Sequence, residues 1–240
     1  MMRLAAACTM AAALAVLAAP AARAQLKVTE ILYNPASSDD AAWEYIELYN
    51  CSAVDSVALG GWVLDDDDGN PLTSSNVLAG TVAPLGTVVL FNVDANTLTA
   101  VRDAWGAAAR FVGVRDWPSL ANDGDRFGLW DGFLSYNSRH WANARIDITY
   151  HDWGDWPADD GVASVHLVDL AADCRVGANW ALSRVGDSQG AYVSNPAGTG
   201  GDTNVGSPGS VVPEPATAAL VALGAAAARL ARRRRGGGGR

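Results

Sequence analysis

The stretch from residue 28 to residue 62 constrains this chain more than any other. It opens VTEILYNP and resumes, after a polar gap, as WEYIELYNCSAVDSVALGGWVL. β-Branched and aromatic residues crowd two runs, 28–33 and 43–50, and such side chains suit the pleated, half-buried surface of a strand. Asn34, Pro35 and a Ser/Asp cluster lie between the runs and supply turn geometry. Leu59-Gly60-Gly61-Trp62 then opens a third run. The pattern predicts an antiparallel β start.

The rest of the chain continues in short strands. Residues 61–65 read as a strand running into Asp65, Asp66, Asp67, Asp68, Gly69 and Asn70, where Asp-Gly signals a hairpin turn. TVVLFN at 87–92 reads as a buried strand. Leu98, Val101, Trp105 and Ala108 recur at helical spacing, with Asp94, Asn96 and Thr97 as candidate caps. A turn at 119–125 precedes a strand at 126–131. Residues 145–150 alternate cleanly, with Ile146, Ile148 and Tyr150 on one face. Residues 163–168 repeat the alternation, placing Ala163, Val165 and Leu167 inward and His166 outward. About eight short strands, one short helix and no β-α-β rhythm predict an all-β sandwich.

The two ends read differently from the body. Residues 1–24 carry Arg3, an Ala/Leu/Val run and an Ala22-Arg23-Ala24 site, the composition of a secretory signal peptide. The body, 25–210, keeps nine basic residues against 25 acidic ones, a net charge of −16. That sign opposes binding to the phosphates of nucleic acid. Cys51 and Cys174 are the two cysteines left once the signal is removed. An even pair in an exported chain reads as a disulfide, the alternative being two buried free thiols.

Candidate chemistry is sparse. Asp65, Asp66, Asp67 and Asp68 could supply oxygen ligands to Ca²⁺, but Leu64 and Ser75 fall where an EF-hand loop needs Asp and Glu, so a solvated hairpin tip is preferred. His151, Asp152, Asp155, Asp159 and Asp160 gather around Trp153 and Trp156, residue types that suit a metal site or an aromatic sugar platform; a partly buried Trp loop is the plainer reading. His140 and His166 are not spaced for Zn²⁺. Asn50-Cys51-Ser52 matches a glycosylation pattern, a reading that the C-terminal tail of the chain argues against. No G-x-S-x-G elbow, H-E-x-x-H, P-loop or dinucleotide fingerprint occurs. These readings make the body non-enzymatic and cofactor-free.

Three segments together resemble the opening of the lamin-tail domain: E-I-x-Y-N-P at 30–35, E-x-I-E-L-Y-N at 44–50 and L-x-G-W-x-L at 59–64. The resemblance continues through the helix at 98–109, an L-x-N-x-G-D turn at 120–125, D-x-x-Y at 147–150, N-W-x-x-S at 179–183 and G-x-P-G at 206–209. It departs at 132–143, which reads as an insertion, and at the long loop 152–160. The resemblance implies an immunoglobulin-like β-sandwich over 25–193, with 194–211 as a Gly/Ser/Pro linker, and an interaction or scaffold role. A Ca²⁺-dependent adhesion or carbohydrate-binding module is the second reading.

The C-terminus resembles the PEP-CTERM sorting signal. Val212, Pro213, Glu214 and Pro215 precede an apolar run at 216–228 and the cluster Arg232, Arg233, Arg234 and Arg235. The resemblance implies recognition by an exosortase-type transpeptidase and a transient membrane anchor. Pro213 and Pro215 keep the motif extended, and the Arg cluster stays cytoplasmic. Thirteen residues of helix span about 20 Å, short of the ~30 Å hydrocarbon core, so Arg229 has to snorkel. The expected destination is the cell envelope, the cell surface or the extracellular matrix of a bacterium.

Overall fold

The computed structural model describes residues 26–37, 39–66, 77–196, 199 and 201–211. The signal segment, residues 67–76 of the acidic stretch and the sorting segment lie outside the described residues.

The two opening runs form β1 (Leu26–Leu32) and β2 (Tyr45–Asn50), antiparallel partners with Leu26 opposite Asn50 and Leu32 opposite Tyr45. The register shifts between Val28 and Glu30. Such a bulge re-aims side chains, and here it puts Thr29 and Glu30 on one face while Val28 and Ile31 stay in the main core. β2 pairs in turn with β6 (Thr87–Asn92). Between them lie β3 (Val57–Ala58), β4 (Val63–Asp65) and β5 (Thr81–Val82).

One helix follows as expected: α1 (Leu98–Trp105), whose first turn is capped by Thr97 Oγ1 accepting from Ala100 N at 3.1 Å. It stops at Gly106, at φ +85°, so Ala108 lies outside the helix and is exposed. Val101, Ala104 and Trp105 are its buried face. The chain then forms β7 (Phe111–Val114), which runs parallel to β6. The β6-α1-β7 crossover corrects the expectation of no β-α-β unit. β7 is only four residues with Gly113 inside it, too short to announce itself by alternation.

β8 (Gly124–Trp130) and β9 (Ile146–His151) form a long antiparallel pair with β4 on the other side of β8. The insertion between them holds a second helix, α2 (Phe133–Arg139), where a single helix was expected. Its Tyr136 packs edge-on to Trp130 at 5.0 Å, making a small separate core with Val63. β10 (Val165–Leu167) and β11 (Trp180–Leu182) complete the large sheet, whose order is β11-β10-β1-β2-β6-β7.

The sandwich closes between this six-stranded sheet and the β4-β8-β9 sheet. Val28, Ile31, Ile46, Leu48, Val88, Leu90 and Val165 meet Leu64, Phe127, Leu129, Ile148 and Tyr150 in one core. The opposite face of the large sheet is covered too. Leu32, Tyr45, Val89 and Phe91 are covered by α1 and by Phe111. The neighbouring polar part is covered by the C-terminal segment, with β12 (Tyr192–Val193) and β13 (Val205–Gly206) as a small hairpin. The described part of 194–211 is therefore part of the body, not the linker that its Gly, Ser and Pro content suggests.

Candidate functional site

The body contains three glutamates, Glu30, Glu44 and Glu47, against 22 aspartates. All three glutamates are buried, and no described aspartate is. Glu30 and Glu47 face each other across β1 and β2. Glu30 Oε1 accepts from Tyr45 Oη at 2.7 Å, Ser164 Oγ at 2.5 Å and Ser207 N at 2.7 Å, and its Oε2 accepts from Ser207 Oγ at 3.0 Å. Glu47 Oε1 accepts from Thr29 Oγ1 at 2.7 Å, and its Oε2 accepts from Gly209 N at 2.5 Å. The two carboxyls thus pin the C-terminal strap, residues 205–210, to the outer face of the sheet.

Glycines let the strap come this close. A Cβ on Gly206 would collide with Tyr45 Oη and lie 2.9 Å from Glu30 Oε1. Gly209, at φ +84°, leaves no room either: a Cβ there would sit 2.6 Å from Ala109 Cβ. Ser210 ends the strap, its Oγ donating to Gln189 O at 3.0 Å.

Burial dominates the electrostatics. Loss of solvent raises the Glu30 carboxyl, although its four donors oppose that. Glu47 is pushed well above its ordinary value, first by burial and then by the charge of Glu30, although Thr29 and the Gly209 amide oppose that. His166 lies beside this network: its Nδ1 is 3.0 Å from Ser183 Oγ, which is 2.8 Å from Ser164 Oγ. The strand faces His166 outward as the alternation predicts, but the residue is buried beside Ser183 and Asp187, and burial lowers its basicity despite Asp187 at 3.8 Å.

Glu44, the residue before β2, likewise holds a distant segment in place. Its Oε2 accepts from Trp117 Nε1 at 2.7 Å and Leu120 N at 3.0 Å, fixing the turn before β8. Burial pushes its carboxyl up to about 7. In the sequence these glutamates sit inside the strand motifs with no mark of a role beyond their rarity, three Glu against 22 Asp in the body.

The residues singled out in the sequence fare differently. Asp65 accepts from Tyr136 Oη and, at 2.9 Å, from the amide of Asp66; Asp67 and Asp68 lie outside the described residues. Among the described residues no group of three His, Cys, Asp or Glu side chains is arranged to hold a metal. Asn50 is fully buried, donating to Asp55 O, Val82 O and Ala83 O, so it is a turn-holding residue and not a surface glycan acceptor. The expected disulfide is not formed in the structure: Cys51 and Cys174 are free, half-buried thiols, both pushed up by burial. They nevertheless share one edge. Cys51 follows Asn50, the partner of Leu26, and Cys174 lines a groove with Leu26 and Lys27. Val212, Pro213, Glu214, Pro215 and Arg232, Arg233, Arg234 and Arg235 lie outside the described residues.

The fold and the strapped sheet define an immunoglobulin-like β-sandwich. A family model described as Lamin Tail Domain matches residues 19–154, more than half of the chain. The chain belongs to the lamin tail domain family. β10 and β11, beyond that match, complete the same sheet. A second model, the PEP-CTERM protein-sorting motif, matches residues 211–235, beginning one residue past Ser210. It marks the protein for export to the envelope or surface of a bacterium and for recognition by exosortase-type processing machinery. Comparison with curated proteins and with solved structures found no match.

Proposed function

We propose that the protein is a non-catalytic, metal-independent scaffold module, delivered to the cell surface as a folded body whose sorting segment is removed in transit. The observation that carries this reading is the position of the strap. Glu30 and Glu47 hold Ser207 and Gly209, and the sorting match begins at residue 211, immediately after the last strap residue. The buried acids are saturated by donors of the chain itself, the arrangement of a structural clamp. Residues 213–215 lie within about 20 Å of chain from Gly209, at ~3.4 Å per extended residue, so the body meets the processing enzyme at close range. An exosortase-type transpeptidase would cut near Pro213–Pro215 and leave the folded body at the surface.

The test is expression of the full chain, with and without residues 212–240, in a host carrying an exosortase. Intact mass of the exported product is expected to show a new C-terminus near Pro213–Pro215. A product still ending at Arg240, or an unchanged location after deletion of the segment, contradicts the reading.

A further inference from the structure

The loop after β9 is held in place and yet presents a tryptophan to solvent. Trp156 is its anchor: buried, stacked on Trp180 at 5.2 Å and 30°, and edge-on to Tyr150 at 6.3 Å. Gly177 fits against it so closely that a Cβ there would lie 2.5 Å from Trp156 Cδ1. Asp159 accepts from Asn34 Nδ2, and Asp160 Oδ1 accepts from Val162 N at 3.1 Å and Ala163 N at 2.8 Å. On this fixed base Trp153 is 63% exposed. The His151 ring is stacked against it at 4.5 Å and 27°, so one face of the indole is propped and the other is open.

Acidic residues neighbour Trp153 along the loop. Asp152 and Asp155 flank Trp153 in sequence. Beneath the loop, the Tyr33 hydroxyl is buried without a hydrogen-bond partner among the described residues, within electrostatic reach of Asp159, Asp152 and Asp160.

We infer that Trp153 is the platform of a binding site for a neutral polysaccharide. The pairing of chemistries favours that ligand. A pyranose offers a flat C–H face, which an open indole face accommodates by apolar contact, and an equatorial rim of hydroxyls, which carboxylates take as hydrogen-bond donors. The body's net charge of −16 repels a polyanion, which selects an uncharged sugar chain. The inference rests on the reading of the protein as a surface scaffold and supplies its ligand class.

Affinity electrophoresis tests it. The exported protein is run through native gels containing dextran, galactomannan or mixed-linkage β-glucan, with alginate as the anionic control. Retardation is expected in at least one neutral gel and not in alginate, and Trp153→Ala is expected to weaken it at least tenfold while leaving the melting temperature unchanged. Unretarded migration in every neutral gel, stronger retardation by alginate, or Trp153→Ala behaving as the wild type overturns the inference. Trp153-dependent capture of an envelope protein without glycan retardation overturns it too. A failure here leaves tail processing untouched, so the two readings fall separately.

Discussion

Glu30 and Glu47 stand directly opposite each other on β1 and β2, both buried, and each reaches past the sheet to the same C-terminal strap, Glu30 to Ser207 and Glu47 to Gly209. Two neighbouring buried carboxyls are costly unless donors surround them. Here the strap supplies three of the six donors, so sheet and strap stabilise each other. The segment that leads into the sorting motif is thereby made part of the domain.

Replacing Glu30 by alanine removes the acceptor from Tyr45, Ser164 and both donors of Ser207. Orphaned buried donors cost roughly 1–3 kcal/mol each when water cannot reach them. Glu30→Ala is expected to lose about 3–5 kcal/mol in urea unfolding, and Glu30→Gln, which retains an acceptor, about 1–2 kcal/mol. Equal stability of Glu30→Ala and wild type would remove the clamp from the account.

Glu44 gives a pH signature of definite sign. Its folded-state value of about 7 is above the ordinary value of 4.5, so the fold binds the extra proton. That contribution is fully present below about pH 4.5 and is lost as pH rises through about 7. Trp117 and Leu120 both donate to one oxygen, which an amide reproduces. Glu44→Gln is therefore expected to match wild type near pH 4.5 and to exceed it by about 1–3 kcal/mol at pH 8. Parallel stability curves for the two proteins across that range would contradict this.

Much of the fold was legible from residue types, and the misses have physical causes. The runs at β1, β2, β6 and β9 announce themselves by β-branched and aromatic residues or by alternation, and Thr97 marks the start of α1. The insertion helix α2 was missed because Tyr136 packs on Trp130, outside the main core, and shows no extended helical stripe. The strap was missed because its Gly, Ser and Pro content resembles a linker. Its partners, Glu30 and Glu47, are more than 160 residues away in sequence. Glycine there serves close approach, at Gly206 and Gly209, and local composition cannot distinguish that use from flexibility.

Trp156 is expected to be the costliest aromatic to remove in the loop after β9. It stacks on Trp180 and fills the space against Gly177. Trp156→Ala is expected to lower stability by about 3–5 kcal/mol, whereas the exposed Trp153→Ala changes it by less than about 0.5 kcal/mol. Thermal or urea unfolding of the pair checks the contrast; equal losses would show that the loop is not anchored at Trp156.

We propose that Cys51 and Cys174, free in the structure, are joined after export by a dithiol oxidase of the envelope. The oxidase takes the two electrons and two protons as the sulfurs bond. The bridge closes a loop of more than a hundred residues, for which the chain-entropy model gives about 4–5 kcal/mol. Protein recovered from an oxidising envelope is expected to resist alkylation until reduced. Two alkylated thiols without reduction would rule the bridge out.

The most direct measurement is hydrogen exchange at the amides of Ser207 and Gly209 in the full-length chain. Both donate to buried carboxyl oxygens. In the wild type they are expected to exchange as slowly as core amides of β1 and β2. In Glu47→Ala, Gly209 is expected to exchange at least tenfold faster while the β1 and β2 amides stay protected. Rapid exchange at Ser207 and Gly209 in the wild type, at the rate of an unstructured peptide, would contradict the account.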